Sequence, residues 1–451
     1  MPELIIVGGG ITGLSAAWEA QQNGISYALL EKTSRWGGKV HTEIVNFPEG
    51  KAIIDGGPES FITRKPEAWD LVGELGIQDS VINPGAETRH MYILDGGMPV
   101  EVPLAPVKFA SSRLMSGGGK LRMMLEPFQP PKADDADESL ADFVTRRLGR
   151  EALDKFIGPI LGGIYNTDPD TQSILVSSPI MREMEAEYGG LVKAMIGRMR
   201  KARKNKLASD DKKPRFGAFA NGLQELTDEL ARQLTGDLRL DTNITRIEKD
   251  ESNYQIFLEN GEKLSAKKLI FATPANITAK LLTDIAEESA KKLATIKHEN
   301  IGTVTLIYRE EEIQSDFPIH GLMIPRREKR AIDAVTFTSL KMPTRVPKGY
   351  GVIRVFFGGS KPNVAEVSDS DLLKTVRDEL KSTIGITVEP IQIVPFRWLK
   401  SFPQANVGHL DFVDEIEKTL PEGIYLAGSS YRGIGVPDCI QQGRQAVKKS
   451  I

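Results

Sequence analysis

The residues best suited to chemistry lie near the start of the chain, where GGGITG at 8–13 matches the pattern G-x-G-x-x-G. In such a loop Gly8 permits a tight turn, Gly10 lets the backbone approach a pyrophosphate, and Gly13 allows a helix to pack closely on a strand. An acid, Glu31, follows at the spacing from which a carboxylate holds the ribose hydroxyls of a dinucleotide. The pattern therefore predicts a dinucleotide site with Glu31 at the adenosine ribose.

Regular elements must position this turn. An apolar run at 4–7 predicts a buried parallel strand that ends at the first glycine, and 14–22 predicts a helix. The helix N-terminus would supply amide donors and a positive dipole end to the phosphates. A second strand is expected at 26–30, directly before the acid. Because all these elements occur in order, we favour a dinucleotide site over a tight turn beside a surface glutamate.

Two further glycine groups follow, RWGG at 35–38 and DGGPES at 55–60. The order of acid, R-x-G-G and D-G-G-P resembles the FAD-binding half of the superfamily of amine oxidases, phytoene desaturases and porphyrinogen oxidases. The resemblance implies non-covalently bound FAD, with these glycines beneath the flavin ribityl chain and ring. For Arg35 alone, the alternative is a solvated charge on a loop.

Seven other stretches narrow the resemblance to protoporphyrinogen and coproporphyrinogen oxidases, because they follow in the family order along nearly the whole chain. Each stretch is modest alone, and the specificity comes from their order and spacing. The stretches are GGGKLRMMLEPF (117–128), GPILGGIYNTDPDTQSI (158–174), SPIMREMEAEYGGLVKAMI (178–196), FGAFANGLQELTDELARQL (216–234), HGLMIPRRE (320–328), AVTFTSLKMPTRVPKGYGVIRVFFGG (334–359) and RWLKSFPQANVGHL (397–410).

The resemblance implies an α/β fold of mixed α+β character, like that of amine oxidases and p-hydroxybenzoate hydroxylase. It combines a Rossmann-like FAD-binding domain, an antiparallel-sheet substrate domain and a helical insert. The length of 451 residues agrees with more than one domain. The predicted boundaries are 1–80, 217–275 and 415–451 for FAD binding, 81–105, 188–216 and 276–414 for substrate binding, and 106–187 for the helical domain.

The FAD contacts are carried over from the family residue by residue. The backbone near Ile244 matches the family's partner for adenine, and Gly435 and Val436 match a helix end under the flavin. Trp398 matches a position beside the flavin, with simple filling of the core as its alternative. The predicted FAD-binding residues are Gly8, Gly10, Ile11, Thr12, Gly13, Glu31, Lys32, Arg35, Gly37, Gly38, Gly56, Gly57, Pro58, Glu59, Ile244, Thr273, Trp398, Gly428, Gly435 and Val436.

The resemblance also assigns substrate contacts. Arg89 matches an arginine that pairs with a porphyrin propionate, and a planar guanidinium suits a carboxylate chemically; the alternative is an ordinary strand-edge arginine. Three positions match the apolar lining of the tetrapyrrole slot, with plain sheet core as the alternative. Two more depart from the family, which has small residues before Asp168. These five are Met323, Thr336 and Phe356 in the lining, and Asn166 and Thr167 at the departure.

The implied reaction is the FAD-dependent, oxygen-linked six-electron oxidation of protoporphyrinogen IX to protoporphyrin IX in heme biosynthesis, with release of hydrogen peroxide. The flavin performs the chemistry, so no protein residue is assigned as catalytic. The first alternative is oxidation of coproporphyrinogen III to coproporphyrin III, which requires partners for two more carboxylates. The arginines considered for this are Arg326, Arg327, Arg330, Arg345 and Arg354.

Two more distant alternatives remain. An amine oxidase or carotenoid desaturase shares the superfamily, although amine oxidases typically carry an aromatic residue where this chain has Gly435. A binder without enzymatic activity, such as the GDP-dissociation inhibitors, uses the same fold without flavin. The complete set of FAD motifs argues against that binder.

Composition excludes several other classes. The net charge of −3 does not favour nucleic acid as a partner. One cysteine excludes an internal disulfide or a C-x-x-C pair, and the five histidines have no ligand spacing, so no metal site is expected. The start of the chain predicts no secretory signal and no apolar run predicts a membrane-spanning helix. A cytoplasmic protein is the resulting expectation.

Peripheral contact with the inner face of the cell membrane is expected from 106–128, where apolar residues alternate with basic ones. A helical cover over a substrate tunnel would show the same pattern. The basic stretch 198–215 is expected to be a solvated loop, with attraction to anionic lipid as its alternative. The substrate partners are a porphyrinogen and oxygen; a monomer or homodimer and a hand-off to a chelatase are also expected.

The segment GSSYRGIGVPDCIQQG at 428–443 suggests either a nucleophilic cysteine, a second phosphate loop or a loop entering a helix. We predict the third, with a strand at 423–427, a helix around Pro437, Asp438 as a first-turn acid and Cys439 as a packed residue. Elsewhere, Asn260-Gly261 predicts a hairpin turn. Residues 221–224 predict a capping box before a helix.

Overall fold

The computed structural model describes residues 2–85, 90–103, 106–165, 168–205, 213–250, 253–315, 317 and 319–451. Side chains at 106–107, 162–165 and 202–205 are not described. Within these ranges, no helix is both long and apolar enough to cross a membrane. Three of the predicted substrate residues, Arg89, Asn166 and Thr167, lie outside the described residues.

The strands form a mixed architecture of parallel and antiparallel sheets. In chain order they are β1 (Leu4–Val7), β2 (Tyr27–Leu30), β3 (Thr42–Phe47), β4 (Gly50–Asp55), β5 (Phe61–Ile62), β6 (Val81–Ile82), β7 (Met91–Asp95), β8 (Met98–Glu101), β9 (Phe216–Phe219), β10 (Asp237–Arg239), β11 (Ile244–Asp250), β12 (Asn253–Leu258), β13 (Lys263–Ala266), β14 (Lys268–Phe271), β15 (His298–Arg309), β16 (Gly321–Met323), β17 (Ile332–Phe337), β18 (Tyr350–Phe357), β19 (Gln392–Pro403) and β20 (Ile424–Leu426).

The helices flank these sheets, and a π-helical turn at Leu153–Ile157 joins two of them. In chain order they are α1 (Ile11–Gln22), α2 (Pro66–Glu74), α3 (Pro106–Ser111), α4 (Gly117–Met124), α5 (Leu140–Leu148), α6 (Arg150–Ala152), α7 (Gly158–Tyr165), α8 (Ile174–Ser177), α9 (Pro179–Tyr188), α10 (Leu191–Asn205), α11 (Gln224–Gln233), α12 (Ala275–Leu282), α13 (Glu287–Thr295), α14 (Thr338–Lys341), α15 (Asp369–Ile384), α16 (His409–Thr419) and α17 (Val436–Ser450).

A five-stranded sheet has the order β10-β2-β1-β14-β20, and all its pairings are parallel. Its central strands are runs of apolar residues because a parallel sheet is covered on both faces. Helices α1 and α17 pack against each other, and a Cβ added at Gly443 would lie 2.2 Å from Thr12 O. The mixed α/β fold expected from the sequence is confirmed.

A seven-stranded sheet has the order β19-β15-β18-β17-β16-β7-β8 and is antiparallel except between β16 and β7. One face packs on α15, where Val335, Ile353 and Val355 meet Leu372 and Val376. We call this the helix-side face. The opposite face contacts the glycine turns described below, and we call it the cradle-side face. The division of the chain into three domains stays a prediction.

The helical region 106–205 is held by buried charge as well as by apolar packing. Arg147 and Glu126 are both fully buried and form an ion pair. The Glu126 carboxylate also accepts the Leu191 and Val192 amides at 2.8 and 3.0 Å. These bonds satisfy first-turn amides of α10, which would otherwise have no helical partner.

Three local predictions need comment. The solvated loop expected at 198–215 is wrong for its first part, because 198–205 belong to α10, and 206–212 lie outside the described residues. The Asn260-Gly261 hairpin is confirmed, with Gly261 at φ +86° between β12 and β13. The capping box at 221–224 is wrong, because Leu223 occupies the N-cap and makes no side-chain cap bond. The Gln224 side chain instead accepts the Thr42 amide at 2.9 Å, so it fixes β3 rather than its own helix.

Candidate active site

The glycine turn after β1 has the shape that the sequence predicts. Gly8 has φ +106°, and a Cβ added at Gly13 would lie 1.8 Å from Gly8 O, so neither position tolerates a side chain. In contrast, a Cβ at Gly10 would meet nothing closer than Gly38 Cα at 4.0 Å. The space beside Gly13 is therefore filled, whereas the space beside Gly10, at the N-terminus of α1, is free. A phosphate group fits this free space.

Glu31 follows β2 and turns back to this glycine turn. Its carboxylate accepts the Gly9 amide at 2.7 Å and the Thr33 amide and hydroxyl at 2.8 Å each. Its backbone oxygen accepts the Thr242 amide, two residues before Ile244 begins β11. The predicted ribose and adenine residues are thus neighbours, and Lys32 beside them is exposed.

The R-x-G-G turn lies directly against the first one. Gly37 donates its amide to Gly9 O at 2.8 Å and has φ +100°, and Gly38 has φ +58°. Arg35 donates to the carbonyls of Gly38 at 2.5 Å and Trp36 at 3.2 Å. Burial lowers the pKa of Arg35. Its guanidinium braces this turn and is not simply a solvated charge.

The D-G-G-P turn completes the glycine surface. A Cβ at Gly56 would lie 2.3 Å from the Phe396 ring, and one at Gly57 would lie 1.9 Å from Lys39 O. Trp398 donates its indole N–H to Gly56 O at 2.9 Å, so this side chain fixes the turn. We call residues 8–13, 37–38 and 55–57 the cradle.

Two buried ion pairs anchor the cradle, and the sequence did not reveal either. Asp55 Oδ2 accepts from Arg345 at 2.5 Å, and Arg345 also donates to Phe219 O at 2.6 and 2.9 Å. Asp55 Oδ1 accepts the Leu223 amide at 2.9 Å. Both ionised side chains are 1% exposed, so each depends on the other for charge compensation.

The second ion pair involves Glu59, which we predicted as a cofactor residue. Lys341 lies 2.5 Å from one carboxylate oxygen and Arg354 lies 3.3 Å from the other. Although burial opposes ionisation, these cations lower the pKa of Glu59 to about 2. Arg354 also donates to Gly57 O at 2.6 Å. Glu59 therefore joins Pro58 and the rest of the turn to the seven-stranded sheet.

The loop after β20 closes the same region. Gly428 has φ +126°, Gly435 is the N-cap of α17 and Val436 begins that helix. The predicted first-turn acid Asp438 pairs with Lys65. Burial raises the pKa of the Cys439 thiol to about 11, which leaves it protonated and unreactive.

Ser430, inside this loop, makes several hydrogen bonds that the sequence did not predict. Ser430 Oγ accepts the Ala275 amide at 3.1 Å and lies 2.9 Å from His298 Nε2. Burial lowers the pKa of His298 to about 4, so the ring is neutral at pH 7 and its Nε2 accepts from Ser430. His409 contacts Ser430 O at 3.1 Å. Scattered histidines gave no sequence signal for this convergence.

The predicted slot residues lie together on the cradle-side face. Met323 stands opposite Ala334, and Ala334 stands opposite Phe356, so their side chains share one face. Thr336 is two residues from Ala334 and therefore points the same way. All three predicted residues are partly buried, and Phe356 packs under the Arg354 guanidinium at 4.7 Å.

This face continues to the cradle. Thr303 lies between Phe356 on one neighbouring strand and Phe396 on the other. Phe396 packs against Gly56, and Trp398 stacks beside it with 6.5 Å between ring centroids. Side chains of one sheet face thus run from the predicted substrate slot to the predicted flavin turn. Thr273 lies on the other side, 2.8 Å from Thr278 by its hydroxyl.

The arginines considered as extra carboxylate partners are mostly engaged with acids. Arg345 pairs with Asp55 and Arg354 with Glu59, as described. Arg327 lies 3.0 Å from Asp95, and Arg330 lies 3.5 Å from Glu379. Arg326 donates to Gly359 O at 2.9 Å and lines a cavity of about 280 Å³ that also contains four aspartates and Arg150.

A parallel sheet with a glycine cradle beside an antiparallel sheet is typical of flavin-dependent oxidoreductases. Residues 11–449 match the family described as flavin-containing amine oxidoreductases, and the chain belongs to that family. The fit does not depend on the match alone, because the cradle is open at Gly10 and acidic at Glu31 where a dinucleotide requires it.

Several relatives that match over nearly the full length are named porphyrinogen oxidases, which confirms the resemblance drawn from the sequence. The chain is 30% identical to coproporphyrinogen III oxidase of Bacillus subtilis, over 99% of this chain and 97% of that protein. It is 26% identical to protoporphyrinogen oxidase 2 of Arabidopsis thaliana, over 98% and 92%. A crystal structure from Exiguobacterium sp. 255-15, provisionally assigned as a protoporphyrinogen oxidase, has TM-score 0.83 and 26% identity, over 99% and 98%.

Proposed function

We propose that this protein uses non-covalently bound FAD and molecular oxygen to oxidise protoporphyrinogen IX to protoporphyrin IX, releasing hydrogen peroxide. The observation that carries the proposal is the continuous sheet face between the slot residues Met323 and Phe356 and the cradle residue Gly56. A flat macrocycle lying on this face would approach the flavin turn with one edge. The full-length porphyrinogen oxidase relatives support the same reaction class.

Each part of the chain has a separate task in this proposal. The flavin, when bound, supplies the electron-accepting chemistry. The α1 N-terminus and Gly10 would hold the pyrophosphate, and Glu31 would accept from the ribose hydroxyls. The bond from Trp398 to Gly56 keeps the D-G-G-P turn in place. Met323 and Phe356 would orient the macrocycle by apolar contact and exclude water from its reacting edge.

The choice of substrate depends on carboxylates. Coproporphyrinogen carries two more propionates than protoporphyrinogen, yet four of the five arginines considered for them already pair with Asp55, Glu59, Asp95 and Glu379. This favours protoporphyrinogen. Coproporphyrinogen III is the second candidate, because the named Bacillus relative and one from Staphylococcus aureus are coproporphyrinogen III oxidases.

A rate comparison tests both candidates. Protein purified with FAD is given each porphyrinogen in air, and the rise of porphyrin fluorescence gives initial rates. We expect at least a tenfold higher kcat/KM for protoporphyrinogen, and the reverse preference would establish the second candidate. Absence of fluorescence with both substrates would contradict porphyrinogen oxidation. Peroxide released per porphyrin formed tests the role of oxygen.

A peripheral contact with anionic lipid is part of the proposal. Several large apolar side chains of the helical region are exposed, and basic residues such as Arg122 and Lys193 accompany them. Basic charge next to apolar surface suits an anionic bilayer. The exposed fractions are 58% for Leu121, 71% for Met124, 81% for Phe128, 55% for Met195 and 64% for Met199.

Vesicle binding tests this contact. We expect sedimentation with vesicles that contain phosphatidylglycerol and weaker sedimentation with pure phosphatidylcholine. Phe128→Ser combined with Met124→Ser should weaken binding at least fivefold. Met98→Ser is a matched control, because Met98 is also exposed, at 61%, on the short strand β8. Equal binding by all variants would contradict this surface.

A further inference from the structure

Lys39 lies between the cradle and the end of β19, and no pattern in the sequence assigns it a role. Its backbone oxygen packs against Gly57, so the residue is part of the wall between the R-x-G-G and D-G-G-P turns. Its ammonium group donates to the Ser401 carbonyl. Ser401 in turn donates to Trp398 O at 3.0 Å, three residues before it on the strand.

Within the described part of the chain, the charge of Lys39 has no acidic partner. Among the described residues, no carboxylate lies within 4.0 Å of its ammonium group, and its hydrogen-bond acceptor is a neutral carbonyl. Burial lowers the pKa of Lys39 to about 8, opposed by the Cys439 thiol, which is itself protonated at pH 7. In contrast, Lys341, Arg345 and Arg354 are each paired with a carboxylate.

The groups around Lys39 do not neutralise its charge, and they add to the positive electrostatic potential there. Cys439 belongs to the first turn of α17, so the Lys39 charge lies near the positive end of that helix dipole. On the other side, the charge of Lys39 contributes to the low pKa of His298. An unpaired buried cation beside a helix N-terminus is costly unless an anionic group joins it.

We infer that Lys39 supplies the positive charge that favours electron uptake by the flavin held in the cradle. This inference rests on the flavin-binding part of the proposed function and is independent of the substrate. Charge near the ring is one of the means by which a protein tunes a bound flavin. The rival explanation is purely structural, with Lys39 acting as a tether between the R-x-G-G turn and Ser401.

Three substitutions separate charge from tethering. Lys39→Gln keeps a donor for Ser401 O and removes the charge, Lys39→Met removes both, and Lys39→Arg keeps the charge. The readout is the equilibrium constant for reduction of the bound flavin against a dye of known potential, measured anaerobically at pH 7. Lys291→Gln is the control, because it removes the same unit of charge from a side chain that is 74% exposed and screened by solvent.

We expect Lys39→Gln and Lys39→Met to make flavin reduction at least tenfold less favourable, about 30 mV for a two-electron couple. Lys39→Arg and Lys291→Gln should remain within threefold of wild type. If Lys39→Gln keeps the wild-type constant while Lys39→Met alone is altered or unstable, Lys39 is a tether and the inference is overturned.

Loss of flavin from the variants is also decisive. If Lys39→Gln and Lys39→Met lose FAD and Lys39→Arg retains it, the charge holds the cofactor instead of favouring its reduction, and the inference is overturned. Loss of FAD from all three overturns it in favour of a steric role. Wild-type protein that fails to bind FAD would refute the proposed function itself, whereas flavin binding without porphyrinogen turnover leaves the potential measurement valid.

Discussion

The cradle and the cradle-side face meet at Phe396, and they differ in whether backbone or side-chain atoms form their surface. The cradle is made of backbone, and glycines occur where a Cβ would collide, as at Gly13 and Gly57. The face is made of side chains whose direction depends on strand pairing, as for Met323 and Phe356. A backbone site restricts residue type at each position, whereas a side-chain site tolerates many types once the register is set.

Substitution at Gly13 tests the backbone part and should have the largest effect. Gly13→Ala would place a methyl group 1.8 Å from Gly8 O, and the adjoining strand and helix cannot separate without opening the turn. We expect complete loss of bound flavin, measured by the ratio of absorbance at 450 and 280 nm. Gly117→Ala is the control, because its Cβ would meet nothing within 4 Å. Normal flavin content in Gly13→Ala would refute the steric account.

Breaking the Arg345–Asp55 pair tests whether the cradle depends on side chains behind it. Arg345→Met leaves a buried carboxylate unpaired, so we expect a loss of about 3–5 kcal/mol in the free energy of unfolding. Urea denaturation measures this, and adding Asp55→Leu should restore part of the loss. Lys291→Met, in an exposed pair with Glu287, should cost far less, because solvent screens that pair. Equal losses in the two single variants would contradict the role of burial.

The pH dependence of stability tests the role of the Glu59 charge, which joins the cradle to the seven-stranded sheet. Its pKa falls from 4.5 to about 2 on folding, so its contribution is complete above pH 4.5 and disappears as the pH falls towards 2. Glu59→Gln should cost ~3 kcal/mol at pH 7, and its difference from wild type should shrink at pH 3.5. Urea denaturation at both pH values measures the difference.

The matched control for Glu59 is Glu229, which pairs with Arg232 at the surface. The pKa of Glu229 is also lowered to about 2, but solvent screens its pair. Glu229→Gln should therefore change the free energy of unfolding by under about 1 kcal/mol. A Glu59→Gln difference that stays constant between pH 7 and pH 3.5 would show that packing, not charge, holds Glu59.

Substitution on the cradle-side face should have the smallest effect on the protein and a selective effect on substrate. Phe356→Ala should raise KM for the porphyrinogen about tenfold, equal to ~1.4 kcal/mol of binding, and leave flavin content unchanged. Phe257→Ala is a matched control, because Arg246 covers that ring at 4.2 Å in a different sheet. A fall in flavin content with unchanged KM would assign Phe356 to the cradle instead.

The sequence was most informative where local rules decide the structure. Gly8, Gly13 and the strand before them follow from steric demands within a few residues, so the first turn and its helix were predictable. Pro437 and Gly435 likewise predicted the start of α17, which is confirmed. The resemblance supplied the slot positions Met323, Thr336 and Phe356, which no local pattern indicates.

Contacts between distant residues were not predictable. Arg345 and Asp55 are far apart in the chain, and either alone resembles a surface charge. Ser430 is hydrogen-bonded to His298 at the start of β15 and to His409 at the start of α16. The spacing of these residues in the sequence does not indicate either contact. Gln224 has the spacing of a capping residue, but the nearby Thr42 amide is its partner. A local sequence pattern does not show when a distant residue competes with a nearby one for the same hydrogen-bonding group.

The five-stranded sheet has a consequence for the order of folding. Strand β1 is made early, but its partner β14 and the next strand β20 follow at 268–271 and 424–426. Helix α1 meets α17 later still, at Gly443. Pairing across such separations is slow, and edges exposed in the meantime favour aggregation. We therefore expect that a growing chain cannot retain flavin before residues 424–443 emerge, which makes cofactor capture one of the last events of its folding.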